Sequence, residues 1–266
     1  MMLLGLVTLG AAVADSKVGA WLRDPGPAAV SAPVDGIDRV SVQANTGLIR
    51  IATADRPDLG VTLNGGNPGT VKVDFVRQGS ELQVRLSSPW WHSPYFSEMT
   101  AVEVWLPQSI ALSALDVNVR TGKVEVRQVS ADRLIYNGQT GVFAATGVQA
   151  KEADLRLITG KVELIHHTGG LRATLTKGEL QAQFDVLSGP VDVNQTTGKL
   201  SLDLPAGAEA TLDALVSRGS LSSSLPLDVT SAAGRVPLRG ILGAGTHGVK
   251  LRVGTGSIII RQQPGQ

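Results

Sequence analysis

The chain of 266 residues contains no cysteine. That excludes disulfides, zinc–thiolate centres, thiol nucleophiles and a lipidated N-terminal cysteine together. It leaves the compartment open, because exported proteins often lack cysteine. Aromatic residues make up only 4% of the chain and charged residues 18%, below the usual quarter. Lys plus Arg number 24 against 23 Asp plus Glu, for a net charge of +1. A nucleic-acid binder needs a basic face and stacking aromatics, so nucleic acid is not an expected partner. Helical periodicity is missing too: beyond residue 33 no stretch sustains an i, i+3, i+4, i+7 apolar pattern. There is no G-x-S-x-G and no glycine-rich phosphate loop ahead of a helix. What the chain has instead is 31 glycines among Val- and Leu-rich stretches, a composition suited to many short strands joined by tight turns.

Residues 1–14 are apolar, and Ala12, Val13 and Ala14 form a small-x-small cleavage pattern ahead of Asp15. This predicts a secretory signal cut after Ala14, hence an exported protein of the cell envelope, periplasm or exterior. No Lys or Arg precedes the apolar run, so an uncleaved N-terminal anchor is the alternative. As a membrane span it is poor, since Asp15 and Lys17 would each cost roughly 2.5–3.5 kcal/mol near a helix centre. A buried N-terminal strand is a third reading. Residues 15–33, with Pro25, Pro27 and Pro33 among small residues, read as an extended linker.

The pentapeptide TGKVE occurs twice, at residues 121–125 and 159–163, with Thr140-Gly141 midway between. Each Thr-Gly sits in one frame: apolar residues two, four and six positions before the Thr, and three and five after it. Around Thr121 these are Leu115, Val117 and Val119, then Val124 and Val126. The frame recurs at Thr46, Thr140, Thr159, Lys177, Thr197, Arg218 and Thr255, and from Thr121 to Thr197 it steps by 19, 19, 18 and 20 residues. A fixed period of this length signals stacked units. Alternation on either side of the Thr marks half-buried strands. The two apolar sets lie an odd number of residues apart, so a straight strand would turn them to opposite faces. The chain must bend at Thr-Gly, where glycine supplies a positive φ without a Cβ cost. Gly160→Val is then expected to destabilise, and Gly160→Asn to be milder.

The predicted fold is all-β: a single-stranded parallel β-helix, or solenoid, of about 19 residues per coil with an irregular β cap at its N-terminal end. Residues 34–114 would hold the cap and first repeat unit, and residues 115–266 the solenoid with a C-terminal cap. The run AVEVWLPQSIALSALDVNVRTGKVEV, the Thr-Gly steps and the ending GAGTHGVKLRVGTGSIIIRQ resemble the bacterial putative-adhesin family, over about residues 34–261. That resemblance implies an exported or membrane-tethered β-helix from a family without a settled function, some of whose relatives accompany envelope-stress signalling. It brings no catalytic residues.

Many β-helix proteins cleave polysaccharides, so outward-facing acids were considered at Asp116, Glu125, Asp154, Glu163 and Asp192. They are spread over several coils and alternate with Arg156, Lys161 and Lys199, the pattern of a solvated face. His166 and His167 point to opposite faces of a strand and read as a water-exposed corner pair rather than metal ligands. No metal or cofactor is expected. Trp90, Trp91, Tyr95 and Phe96 fall within seven positions between Pro89 and Pro94 and beyond, which predicts a loop. The four rings either contact a ligand or interface or pack as a lid over the cap. The function expected is a non-enzymatic, adhesin-like scaffold or interaction module. Its partner would be envelope polysaccharide, a membrane surface or another envelope protein. A carbohydrate-binding or carbohydrate-active β-helix is the alternative.

Overall fold

The computed structural model describes residues 6–7, 28–65, 71–87, 100–226, 228–229 and 237–263. Every regular element among them is a strand. In chain order these are β1 (Leu6–Val7), β2 (Ala28–Ala32), β3 (Arg39–Ala54), β4 (Leu59–Asn64), β5 (Lys72–Gln78), β6 (Glu81–Ser87) and β7 (Ala101–Pro107). There follow β8 (Leu112–Arg127), β9 (Ser130–Thr146), β10 (Gln149–Leu204), β11 (Ala210–Ser223), β12 (Asp228–Val229), β13 (Leu238–Leu242) and β14 (His247–Gln262). The protein is all-β, as the alternating pattern predicts.

The Thr-Gly frames meet one another across strands. Thr46 faces Thr121, Thr121 faces Thr140, and Thr140 faces Thr159, all in parallel pairs. β10 carries three frames, at Thr159, Lys177 and Thr197. Val117, Val119, Val124 and Val126 on both sides of the corner are buried in one core. Tyr136 and Phe143 stack there with centroids 4.3 Å apart.

The corner works by close backbone approach as well as by φ. Gly160 has φ +142, and a Cβ there would overlap the Gly141 carbonyl oxygen. The same relation links Gly47, Gly122, Gly141, Gly160, Gly178, Gly198, Gly256 and Gly219 in one continuous column. Asparagine at Gly160, expected to be milder than valine, meets the same obstacle as valine. Asparagine tolerates the left-handed region near +57°, but here any side chain meets a carbonyl. A second corner does lie in that region: Gln128 (φ 52), Gly147 (φ 66) and His166 (φ 55) recur every 19 residues.

Spatial order departs from chain order at both ends. β14 lies between β10 and β11: Thr197 faces Thr255, which faces Arg218. The reason is compositional. Val249, Leu251, Val253, Ile258 and Ile260 of β14 are all buried, whereas the later half of β11 is serine-rich and mostly exposed. The apolar strand goes inside and the polar one takes the edge, which blunts edge-to-edge pairing. β13 then pairs antiparallel with β11 over Ala210–Ala214. At the other end β3 is flanked in two pieces. β6 runs parallel to Arg39–Ala44, and β7 runs parallel to Leu48–Ala54. β5 and β4 extend these two branches as antiparallel partners, and β2 adds to β4. Leu6 and Val7 pair antiparallel with Val76 and Phe75.

Candidate functional site

Trp90, Trp91, Tyr95 and Phe96 lie outside the described residues, as does nearly all of the apolar opening segment. The flanks of the aromatic segment are placed, however. Leu86 opposes Ala44 and Ala101 opposes Leu48 on β3.

The acids distribute as the sequence suggests. Asp116, Ile135 and Asp154 form one cross-strand row, Asp192 faces Lys250, and Glu163 pairs with Lys161. Asp154, expected in a solvated face, is buried, and its Oδ2 accepts from Arg156 at 3.0 Å. Burial also pushes the Asp116 carboxyl up, partly offset by the hydrogen bond that Asn118 donates to it.

Two carboxylates do converge. Glu103 on β7 and Glu125 on β8 flank Arg50 on β3, with guanidinium contacts of 3.1 and 3.3 Å. Asn64 donates to the second oxygen of Glu103 at 2.8 Å. Lys123 and Arg127 complete the shell around Glu125. The Lys123 bond, with the charges of Arg50 and Arg127, holds the Glu125 carboxyl below its ordinary range. A glycosidase acid must instead be held protonated near neutrality. The geometry is that of an ion-pair clamp across three strands.

The histidines divide. His166 is exposed and meets Asp185 at 3.0 Å. His167 is fully buried, which corrects the expectation of a water-exposed pair. Its Nδ1 lies 3.0 Å from the Val148 oxygen and its Nε2 3.2 Å from the Gly170 oxygen, with Phe184 edge-on at 5.3 Å. Residue 166 is left-handed, so the alternation restarts there and His167 turns inward.

A polar concavity of about 590 Å³ lies on the outer face just before the Thr-Gly corner. Gln43, Asn118 and Asn137 line it three positions before the corner Thr. Asn45, Arg120 and Gln139 line it one position before, with Arg85 of β6 at the rim. Asn137 donates to Asn118 at 3.0 Å, Asn118 to Asp116 at 2.8 Å, and Arg120 to Gln139 at 3.1 Å. Planar amides in cross-strand rows present donors and acceptors side by side, suited to vicinal hydroxyls. The frame carries this signal only in part: Gln43, Asn118, Asn137 and Asn194 share one frame position, where other frames hold Arg156, Thr174, Leu215 and Arg252. Leu86, which lines the groove, is the last core residue before the aromatic segment.

The chain belongs to the Toastrack DUF4097 family, which it matches over residues 29–261. No curated protein matches it. Among solved structures it is similar to a "putative adhesin" from Bacteroides fragilis NCTC 9343, at 14% identity and a TM-score of 0.45, covering 90% of this chain and 98% of that one. It is similar to a "putative cell adhesion protein" from Clostridium sporogenes ATCC 15579, at 11% identity and a TM-score of 0.43, covering 90% and 99%. A "putative lipid binding protein" from Parabacteroides distasonis ATCC 8503 matches at 10% identity and a TM-score of 0.34, covering 90% and 97%.

Proposed function

We propose that this Toastrack-family chain is a non-enzymatic, adhesin-like interaction module of the cell envelope. In this reading it is an exported parallel β-solenoid of about 19-residue coils, as the sequence steps and the strand registers support. Its partner is an uncharged stretch of envelope polysaccharide. One observation carries the reading: five amide side chains, Gln43, Asn45, Asn118, Asn137 and Gln139, gather in one open groove on an outer strand face. Hydroxyl-rich chains need many paired donors and acceptors and little net charge, which amides supply. The ion-paired state of Glu103 and Glu125 favours binding over hydrolysis.

The test is retention of the protein on isolated, insoluble cell-wall polysaccharide. Asn118→Ala with Asn137→Ala is expected to lower retention at least tenfold while the melting temperature stays within ~2 °C, since both side chains are partly exposed. Unchanged retention in that stable double variant overturns the groove assignment. Release of new reducing ends from the polysaccharide overturns the non-enzymatic reading.

A further inference from the structure

Beyond the Thr-Gly corner, the opposite outer face holds a smaller and more enclosed cavity of about 320 Å³. Its lining follows from register. One cross-strand row reads Glu103, Arg50, Glu125, and the next reads Trp105, Ala52, Arg127. Trp105 and Arg127 stand on strands either side of β3, two strand spacings or about 9.5 Å apart. Ala52 between them has too little side chain to fill the gap. On the far side of Trp105 its partner Gly60 is overlain by the Arg56 guanidinium, which walls that edge. The result is a slot with an indole wall, an alanine floor and a guanidinium opposite. The Arg50 clamp, with its two paired carboxylates, closes one end.

Trp105 is half-buried and Arg127 exposed, so both remain accessible. Arg127 spends one long contact, 3.4 Å, on Glu125 and keeps other donors. Trp105 is held through its backbone, opposite Ala52 and Gly60, and among the described residues its indole makes no side-chain hydrogen bond or ring contact.

We propose that this slot binds a single neutral pyranose ring. Trp105 offers its face to the C–H side of the ring, Glu103 and Glu125 accept from ring hydroxyls, and Arg127 donates to a hydroxyl or ring oxygen. The ligand is neutral because the four charged groups lining the slot, Arg50, Arg127, Glu103 and Glu125, cancel. A flat aromatic ligand would bring no donors to the free lone pairs of the carboxylates, and an anion would face both of them. The volume suits one ring, near the small end of the ~300–1,000 Å³ usual for small-molecule sites. The slot shares no lining residue with the amide groove, so it stands or falls separately from the polysaccharide reading.

The test is saturation-transfer NMR on the full chain carrying Asn118→Ala and Asn137→Ala, which disables the amide groove, with methyl glycosides of glucose, galactose, mannose and glucuronic acid. The expected result is transfer to the ring C–H protons of at least one neutral hexoside. Trp105→Ala should reduce it at least tenfold. Ala52→Leu fills the floor without touching the indole, and should abolish the signal even if Trp105→Ala folds poorly. No transfer from any neutral hexoside, transfer from the glucuronide alone, or a signal that survives in folded Ala52→Leu would each overturn the proposal.

Discussion

At the scale of single residues, His167 sets two physical demands against each other. Both ring nitrogens face carbonyl oxygens, and only the imidazolium could donate to both. Burial against Phe184 opposes the charge and prevails, pulling the ring's pKa below its ordinary 6.5. The folded protein therefore binds this proton less readily than the unfolded chain. Stability is full above pH 6.5 and falls as pH drops below it, levelling once the folded-state value is passed. Glu125 and Asp213 are held below their ordinary 4.5 and 3.8, while Asp116 is pushed up in both proteins alike, so the difference between the wild type and His167→Leu from pH 7 to 5 reads the histidine. In His167→Leu this component should vanish, with a cost at pH 7 of about 1–3 kcal/mol for the carbonyl left without its donor. Denaturant midpoints at pH 7, 6 and 5 measure both effects, and equal slopes in the two proteins would refute the assignment. Strand geometry alone put the two histidines on opposite faces. It could not say which faced inward, because the left-handed turn at His166 leaves no mark in the sequence. The amide groove was partly legible in the repeat frame but hidden behind its apolar positions, and Trp105 carried no pattern of its own.

At the scale of the element, the repeating strands have two corners that use glycine differently. Gly160 stands where a Cβ would strike the backbone of the neighbouring strand, so relaxing φ alone does not help. Gly147, at φ +66, has only the Gln128 side chain at 3.6 Å near its Cβ direction. Gly160→Asn should thus cost at least ~3 kcal/mol, while Gly147→Asn should stay within about 1 kcal/mol. Thermal melts of the pair check this, and similar midpoints would mean the column of glycines is not packed as described. The sequence announced the first corner because Thr-Gly repeats there. The second lies in the spacers between the frames, where a further bend is expected, but no shared residue marks it: glutamine, glycine and histidine adopt one conformation there.

At the scale of the whole molecule, the neighbours that a strand finds are set by burial, and chain order is a poor guide. The eight frames were readable one by one, yet the seat of β14 between β10 and β11 was not. Apolar content ranks the strands for interior places without saying which gap each one fills. Removing residues 247–263 should strip protection from Leu215–Ser223 of β11 while leaving β3 to β9 intact, because each strand pairs chiefly with its neighbours; Ala210–Ala214 keep β13 as a partner. Hydrogen exchange resolves this, and persistent protection of Leu215–Ser223 in the shortened chain would contradict the register. The same arrangement fixes a timetable. A ribosome making roughly 5–20 residues per second finishes Leu204 some 3–12 s before Gln262, the residue that sits opposite it. Throughout that interval the edge from Val191 to Leu204 has no partner, and β11 has emerged with nowhere to dock. The molecule closes like an arch, on the stone that arrives last.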